Sequence, residues 1–471
     1  MQDSSHNLIS KQIEFLRRQY LQEGGLPFSD VLSEETISPA LQALKACWYN
    51  CIYTPLVTLW VFLSQVLSAD HGCRAAVARL IADRIARGKS PCSANSSAYC
   101  QARKRLPEGF FSDVACRVGR SLDAQADPKW LWKGRRVYMF DGTTVSMPDT
   151  PENQQEYPQN PSQKPGLGFP IARLGAIISL ACGVVLSLGI CRYAGKGQGE
   201  RSLLRQQWDI FSPGDILLTD SLMSSWTEVV MLKQQGVDSV SRLNKALRNA
   251  DFRTGTQLGH EDHIVRWPKP RTIRSVDRAT YESLPDWLEV RELRVRVSQP
   301  GFRTRSLVVV TTLLDPLEAT KEELASLFRM RWNNELDIRS IKIEMQMDVL
   351  RCKTPDLVRK EIWAHVLAYN LIRTVMAQSA IRHEIEPRTI SFKGTLQLLQ
   401  AFQPVIALQD HPDMEQLNRL YCELLDAVAV HRVADRPDRF EPRKRKRRPR
   451  KADRLMVPRS EFKRQILQGV T

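Results

Sequence analysis

Three acidic side chains in this chain have surroundings that would suit a binding site for divalent cations. Asp141 lies inside a β-branched and aromatic run at 136–147, Asp220 directly follows the apolar run I-L-L-T, and Glu335 lies in a segment typical of helix. Mg²⁺ prefers carboxylate oxygens, and a pair of such ions can activate an attacking oxygen and stabilise a leaving one in phosphoryl transfer. Each acid also has an ordinary explanation: an Asp-Gly hairpin turn, a helix N-cap and a surface ion pair, respectively. The separations of 79 and 115 residues mean that only the fold can bring the three together.

The segment around Glu335 predicts a helix on which an acid lies between two cations. Residues 328–342 read F-R-M-R-W-N-N-E-L-D-I-R-S-I-K, a capping-box pattern precedes them at 320–323, and the next proline is Pro355. At about 100° per residue, four side chains fall within roughly 60° of one another on such a helix: Phe328, Arg331, Glu335 and Lys342. The alternative for this helix alone is a solvated face, whose i,i+4 ion pairs contribute about 0.2–0.5 kcal/mol each.

The composition indicates a folded protein with a polyanionic partner. The chain has 471 residues, a formal net charge of +16 and a pI near 9.5, which suit DNA, RNA or an acidic membrane surface. Its length predicts two or three domains. The ten cysteines include no C-x-x-C pair, so a zinc site is not expected, and the polar first twenty residues do not predict a signal peptide. The apolar stretch 54–67 is too short to span a bilayer, so we expect a cytoplasmic protein with reduced thiols and no membrane partner.

The N-terminal quarter of the chain has the apolar spacing of helices, at 8–21, 41–67 and 75–85. One helix is predicted to end near Gly88, and another to start near 95 or 96 and stop at Pro107. The second helix carries three consecutive cations: Arg103, Lys104 and Arg105. This pattern fits a helix-turn-helix that enters a DNA groove, and the alternative is a helical hairpin with a solvated basic face.

After a connection at 126–135, the pattern changes to that of strands. Strands are expected at 136–147, 172–182, 184–193, 216–219 and 237–243, and a β-rich block at 251–315. Helices are expected again at 356–379, 395–402 and 414–430. The run R-K-R-K-R-R-P-R-K at 443–451 should be disordered unless it meets a polyanion, for which nucleic acid is the favoured candidate.

Five short motifs together resemble those of the DDE transposases of bacterial insertion sequences. They are F-D-G-T-T at 140–144, K-P-G-L-G-F-P at 164–170, P-G-D-I-L-L-T-D-S at 213–221, the segment 328–342, and L-R-C-K-T-P at 350–355. The segment 328–342 is similar to the branch with a Y-(2)-R-(3)-E-(6)-K signature; its spacing is intact and Phe328 replaces the usual Tyr. The resemblance covers about residues 90 to 380.

This resemblance implies an α+β or α/β fold, in which an RNase H-like mixed-sheet catalytic core is interrupted by a β-rich insertion and flanked by helical N-terminal and C-terminal regions. It implies that Asp141, Asp220 and Glu335 are the catalytic residues and bind Mg²⁺, for which Mn²⁺ can substitute. The strand pattern at 251–315 agrees independently with an insertion between the second Asp and the Glu.

The resemblance also implies a set of DNA contacts around the same helix. The residues expected to contact DNA are Arg331, Arg339, Lys342, Phe328, Trp267 and Trp287, besides the three cations Arg103, Lys104 and Arg105. Arg331 and Lys342 would hold phosphates near the cleaved strand. Phe328 lacks the hydroxyl of the usual Tyr, so we expect altered gripping of the DNA end rather than an inactive enzyme. Trp267 or Trp287 would stack on a flipped base, and the alternative is that each belongs to the core of the β-rich block.

The expected domains are a helical DNA-binding region (1–130), the first part of the core (131–250), the β-rich insertion (251–315), the second part of the core (316–380), a helical C-terminal region (381–435) and a basic tail (436–471). The expected function is that of a bacterial insertion-sequence transposase, which binds terminal inverted repeats, cleaves the element ends and joins the 3′ ends to target DNA. A homodimer on paired ends follows from the resemblance. Two alternatives stay open: a catalytically silent DNA-binding protein with the same fold, and an RNase H-like nuclease without strand transfer.

Overall fold

The structure is a computed structural model that describes residues 2–22, 26–44, 51–273, 276–296, 306–407, 414–433 and 453–468. Its helices are α1 (Gln2–Arg18), α2 (Glu34–Gln42), α3 (Pro55–Val66), α4 (Cys73–Ala86), α5 (Ser97–Arg105), α6 (Glu108–Ala124), α7 (Pro151–Glu156), α8 (Glu200–Arg205), α9 (Trp226–Gln234), α10 (Arg278–Ser283), α11 (Lys321–Met330), α12 (Trp332–Arg339), α13 (Pro355–Arg382), α14 (Phe392–Ala407), α15 (Met414–Val430) and α16 (Arg459–Leu467). Its strands are β1 (Val137–Ser146), β2 (Ile171–Ser179), β3 (Val185–Arg192), β4 (Ile216–Thr219), β5 (Asp238–Arg242), β6 (Thr256–Gly259), β7 (Asp262–Pro268), β8 (Trp287–Arg296) and β9 (Ser306–Thr311).

The strands form one mixed sheet in the order β3-β2-β1-β4-β5-β9-β8-β7-β6. In its first half, β2 runs antiparallel to β1 and β3, while β4 runs parallel to β1 and β5. The order 3-2-1-4-5 with these directions is the RNase H-like arrangement, so the predicted fold class is confirmed. Strands β6 to β9, which we call the extension, continue the same sheet through antiparallel pairing of β9 with β5. The boundaries of the six expected domains stay a prediction.

The central helix α13 ties the helical regions to the sheet. Pro355 occupies its first turn, where a missing N–H costs nothing, and all but one of residues 357–380 are buried. This helix is therefore covered by other elements on every side, and its buried polar side chains need partners within the protein. Asn370 makes the polar link, because its amide donates to the carbonyls of Ala115 on α6 and Val185 on β3, at 3.0 and 2.8 Å.

The N-terminal elements agree with the sequence except in one stretch. Helix α4 ends at Ala86, Gly88 takes the left-handed conformation (φ +65°), and α5 begins at Ser97, as the hairpin pattern predicts. The continuous helix expected at 41–67 is wrong, because α2 ends at Gln42 and a new helix starts at Pro55. The side chain of Thr54 caps that new helix by accepting from the Val57 amide.

Two further expectations concern segments outside the sheet. Among the described residues, no helix combines the length and apolar character that crossing a membrane would need. The basic run at 443–451 lies outside the described residues.

Candidate catalytic site

Asp141 and Asp220 lie at matching positions on neighbouring parallel strands. The ladder between β1 and β4 pairs Val137 with Ile216 and Met139 with Leu218, an offset of 79 residues. Asp141 and Asp220 have the same offset, two residues beyond the last of these pairs. In-register residues on adjacent strands project from the same face of a sheet, and the strands are about 4.8 Å apart. The pairing therefore brings the two carboxylates together at the end of β4.

Neither of the ordinary explanations for the two aspartates applies. Strand β1 runs on to Ser146 and pairs with β2 through Asp141 and Gly142, so this Asp-Gly pair is not a hairpin turn. Asp220 accepts from the Leu222 amide at 2.7 Å and thereby closes a local turn, whereas the following helix starts at Trp226. Asp141 is consequently a residue of the strand β1 itself, and Asp220 directly follows β4 without capping a helix.

The predicted single helix at 328–342 is wrong in detail, since the segment is divided into three pieces. The capping box at 320–323 starts α11 as predicted, but α11 stops at Met330 and α12 starts at Trp332. A single π turn follows at 340–344, with the Met345 amide donating to the Ser340 carbonyl at 3.0 Å. Such turns widen the helix by one residue and are common at functional sites.

The divided helix still directs its charged side chains at β1. The Arg331 guanidinium lies 4.0 Å from an Asp141 oxygen and 3.1 Å from a Glu335 oxygen, so it bridges the two acids. Lys342 donates from Nζ to the Thr143 hydroxyl at 3.1 Å. Because Asp141 and Thr143 are two residues apart on β1, they project from one face of the strand. The structure thus collects Asp141, Asp220, Glu335 and two cations around the middle of β1, beside the end of β4.

Burial perturbs two of these groups. The pKa of Asp141 is raised from 3.8 to about 6, mainly by burial and also by the nearby Asp220 and Glu200, whereas the Gly142 amide and Arg331 limit the shift. Burial also lowers the pKa of Lys342 below its ordinary value. A carboxyl with a raised pKa beside a second acid is a site where a divalent cation would relieve both desolvation and repulsion.

Glu200 is a fourth acid near Asp141, and no sequence pattern predicted it. Glu200, the first residue of α8, lies against Gly142, where a Cβ atom would come within 2.3 Å of the Glu200 side chain. Arg173 on β2 donates to Glu200 at 2.9 Å. A larger residue at position 142 would displace the Glu200 side chain, and the loop A-G-K-G-Q-G-E places Glu200 on the sheet next to the candidate site.

The donor chemistry of the site fits a hard divalent cation. Asp141, Asp220 and Glu335 offer carboxylate oxygens only, and the Arg331 guanidinium shows that a positive charge between Asp141 and Glu335 is accommodated. In the part of the chain that the structure describes, no group of three or more His, Cys, Asp or Glu side chains is already close enough to enclose a metal ion.

Of the three cations on α5 that were predicted to contact DNA, one is buried and two are exposed. Arg103 is only 3% exposed, and its guanidinium donates to Gln65 Oε1 at 3.3 Å and lies over the rings of Phe62 and Tyr99, so the prediction that it contacts DNA is wrong. The other two cations are on the outside: Lys104 and Arg105. Arg339 on α12 is exposed as well.

Two of the three aromatic candidates are core residues. Trp267 is 3% exposed and donates from Nε1 to Glu292 at 2.8 Å, so a stacking role on DNA is wrong and the core alternative holds. Phe328 is 8% exposed and packs in the main core, which explains why an apolar ring is tolerated there but leaves it little surface for DNA. Trp287 is 48% exposed and lies 4.1 Å from the Arg266 guanidinium, so it stays a candidate for stacking.

The chain is similar to several known transposases. The chain is 26% identical over 365 residues to the Escherichia coli K12 transposase InsG of insertion sequence element IS4, covering 74% of this chain and 76% of that protein. It is 35% identical over 72 residues to the Escherichia coli transposase of insertion sequence element IS421, covering 15% of this chain and 19% of that protein. A piggyBac transposase in a synaptic complex with hairpin DNA overlaps 84% of each chain, with a TM-score of 0.41 and 9% identity.

The family model described as the transposase DDE domain matches residues 132–371, which contain β1, β4 and the divided helix. That match includes all three acids of the candidate site and takes up half of the sequence. The resemblance drawn from the short motifs is thereby confirmed at the level of the family, while the Y-R-E-K branch stays a prediction. This chain belongs to the DDE transposase family.

Proposed function

We propose that this protein is a metal-dependent DNA transposase of an insertion sequence, with Asp141, Asp220 and Glu335 as its catalytic acids. The observation that carries the proposal is the ladder offset of 79 residues, which sets Asp141 beside Asp220 on one face of the sheet. Arg331 supports the inclusion of Glu335, because one guanidinium contacts the acids of both the strand and the helix. Its reaction is cleavage at the element's terminal inverted repeats and joining of the 3′ ends to target DNA.

In this proposal the three acids hold Mg²⁺, or Mn²⁺ in its place. When bound, the metal supplies activation of the attacking oxygen and charge stabilisation of the leaving one. Lys342 contributes a cation on the side of Thr143, and Arg331 another beside Asp141, where each can hold a phosphate oxygen of the DNA. With a pKa near 6, the Asp141 carboxyl is largely ionised and able to bind a metal ion at neutral pH, and protons compete with the metal as the pH falls toward 6.

DNA is the proposed partner, and a homodimer on paired ends is the proposed assembly. The formal charge of +16 supports a polyanion, and the exposed Lys104, Arg105 and Arg339 are the described cations proposed to bind phosphates. The alternative of a catalytically silent DNA-binding protein is less well supported, because the two strand acids are retained in register.

A labelled terminal-repeat duplex incubated with Mg²⁺ tests the proposal. Asp220→Asn should reduce strand cleavage at least 1,000-fold without changing the affinity for the duplex, since only the metal site is altered. Asp113→Asn is the matched control, because Asp113 is an exposed acid paired with Arg117 on α6. Equal cleavage by the two variants would show that the acid assignment is wrong. Joining of the cut 3′ end to a target plasmid separates a transposase from a nuclease.

A further inference from the structure

A second acid on α12 lies on the side of the helix opposite to Glu335. Asp337 follows Glu335 by two residues, which turns its side chain by about 200° around the helix axis. It is fully buried, and its two oxygens accept from two different arginines. Arg373 on α13 bonds one oxygen, and Arg388 donates to the other at 2.6 Å. Asp337 therefore joins the buried face of α12 to Arg373 and Arg388.

Both arginines are themselves anchored to the sheet. Arg388 donates from Nε to the Leu180 carbonyl at 2.8 Å and from a terminal nitrogen to the Ser179 carbonyl, at the end of β2. In the antiparallel ladder, Ser179 is the partner of Tyr138 on β1, three residues before Asp141. A single guanidinium thus connects the helix that carries Glu335 to the strand pair that carries Asp141.

Arg373 is also bonded to groups beside the sheet. Arg373 donates from Nε to the Tyr369 hydroxyl at 2.9 Å, and that hydroxyl donates to the Gly183 carbonyl at 2.8 Å. Gly183 has φ +79°, and a Cβ atom there would lie 2.9 Å from the Arg373 guanidinium carbon. The turn between β2 and β3 is consequently shaped to admit the arginine.

The cluster of Asp337, Arg373 and Arg388 is not explained by its contribution to the free energy of unfolding alone. One buried carboxylate faces a buried guanidinium, that of Arg373, and a mostly buried one, that of Arg388, so the cluster carries one positive charge more than it carries negative ones. Buried ion pairs often contribute no more than well-packed apolar side chains of similar volume, whereas they fix geometry through directional bonds. Helix α12, which this cluster holds, has only eight residues, and its outward-facing side chains Trp332 and Leu336 are about half exposed.

We propose that Asp337, through Arg373 and Arg388, positions α12 so that Glu335 faces β1. Asp337 is a positioning residue, since it contacts no reacting group. The inference rests on the proposed function in its use of Glu335 as a catalytic acid. The distance from Glu335 to Asp141 and Asp220 is then set by a buried carboxylate with two arginine partners.

The test compares Asp337→Asn with Asp262→Asn in the full-length protein. Asp262 is a suitable match, because it is also a buried acid with a two-pronged arginine partner, Arg291, at 2.6 and 2.8 Å, but it lies in the extension. Four quantities are measured: unfolding in urea, amide hydrogen exchange of residues 332–344, affinity for terminal-repeat DNA, and the Mn²⁺ dependence of cleavage.

Both variants should lose stability. Only Asp337→Asn should speed amide exchange in residues 332–344 by 10-fold or more, raise the Mn²⁺ concentration for half-maximal cleavage and slow cleavage about 100-fold, the effect expected of a displacement near 1 Å. Its affinity for DNA should stay within about twofold of the unaltered protein. If the two variants have the same exchange and the same cleavage rate, the positioning role is wrong.

A second variant covers the case in which Asp337→Asn folds poorly. Asp337→Asn combined with Arg388→Gln removes one of the two cations left unpaired, so it should regain stability while cleavage stays slow. Recovery of both stability and cleavage would overturn the proposal, since the cluster would then serve stability only. Glu335→Gln separates this outcome from a failure of the proposed function: if it cleaves normally, the assignment of Glu335 is wrong, whatever the exchange data show.

Discussion

Asp141 and Asp220 are neighbours because the apolar residues before them fix the register of their strands. Three residue pairs, from Val137–Ile216 to Met139–Leu218, form the parallel ladder, and each acid follows two residues later. A slip by one residue would turn one acid to the opposite face of the sheet. The buried side chains of β1 and β4 make such a slip costly, and the hydrophobic core thereby specifies the geometry of the candidate site.

Replacing Asp141 by Asn should stabilise the free protein at neutral pH. Burial raises the pKa of Asp141 to about 6, so above that pH the folded protein holds a buried carboxylate whose charge costs free energy. A shift of this size corresponds to at most about 3 kcal/mol, so we expect Asp141→Asn to gain about 1–3 kcal/mol at pH 7.5. Urea unfolding without divalent cations measures this gain.

The sign of the pH dependence provides the control for Asp141. The cost of the buried charge is fully present above pH 6 and disappears as pH falls toward 3.8, where the carboxyl is protonated in the folded and unfolded states. The gain from Asp141→Asn should therefore shrink between pH 7 and pH 4. A gain that does not vary with pH would contradict the assigned cause.

The sequence predicted the strands of the site and a helix at Glu335, but not the π turn or the position of Glu200. The strand at 136–147 and the run ending at Asp220 stand out because β-branched and apolar residues have strong local preferences. The π turn at 340–344 was not predictable, since it depends on bonds formed after the helix docks on β1. Glu200 was also missed, because a loop rich in glycine gives no sign of which strand it will cover.

The errors at Arg103 and Trp267 have a common physical cause. The periodic pattern of apolar residues assigns a charged or aromatic side chain to one face of a helix or strand. It does not reveal which polar groups in the protein interior can bond that side chain. Arg103 is buried because Gln65, Cys73 and two aromatic rings surround its guanidinium. Trp267 is buried because Glu292 accepts its indole N–H. The Arg103–Cys73 and Trp267–Glu292 contacts join residues more than twenty positions apart, beyond the reach of local patterns.

Arg103 and its neighbours on α5 should respond differently to truncation. Arg103→Ala leaves a cavity beside Phe62 and Tyr99, so we expect a loss of about 2–4 kcal/mol in the free energy of unfolding. The double variant Lys104→Ala/Arg105→Ala should change stability by less than about 0.5 kcal/mol, because both side chains are exposed.

Salt-dependent binding to the terminal repeat then tests the role of the exposed pair. If both cations neutralise phosphates, the slope of log K against log salt should fall by about 1.8 in the double variant. Arg103→Ala, measured where it is folded, should leave this slope unchanged. A reduced slope for Arg103→Ala alone would contradict the buried assignment.

The two tryptophans of the extension offer a second contrast. Trp267→Ala should cost about 3–5 kcal/mol, because it removes a buried ring and leaves Glu292 without its indole donor. Trp287→Ala should have little effect on stability, since the ring is about half exposed. If Trp287 stacks on a base, its loss should weaken binding to a duplex with unpaired ends by about 1–3 kcal/mol. Fluorescence anisotropy measures this loss, and equal affinities would rule out stacking by Trp287.

Lys342 should matter to catalysis through its charge rather than through its contact with Thr143. Its ammonium group donates to the Thr143 hydroxyl at 3.1 Å, and burial lowers its pKa, so the group is held in place at some cost. Lys342→Met keeps the length of the side chain and removes the cation. A preorganised charge of this kind contributes about 100- to 1,000-fold to a rate, so cleavage of the terminal repeat should slow by that factor.

Thr143→Val provides the matched comparison for Lys342, because it deletes the acceptor and keeps the cation and the shape of the side chain. If Lys342 holds a phosphate oxygen, Thr143→Val should reduce single-turnover cleavage less than about fivefold, since the hydroxyl contributes one neutral hydrogen bond. Equal losses in the two variants would instead mean that Lys342 serves to dock the π turn on β1. The same two rates therefore distinguish a contact with substrate from a contact that only shapes the site.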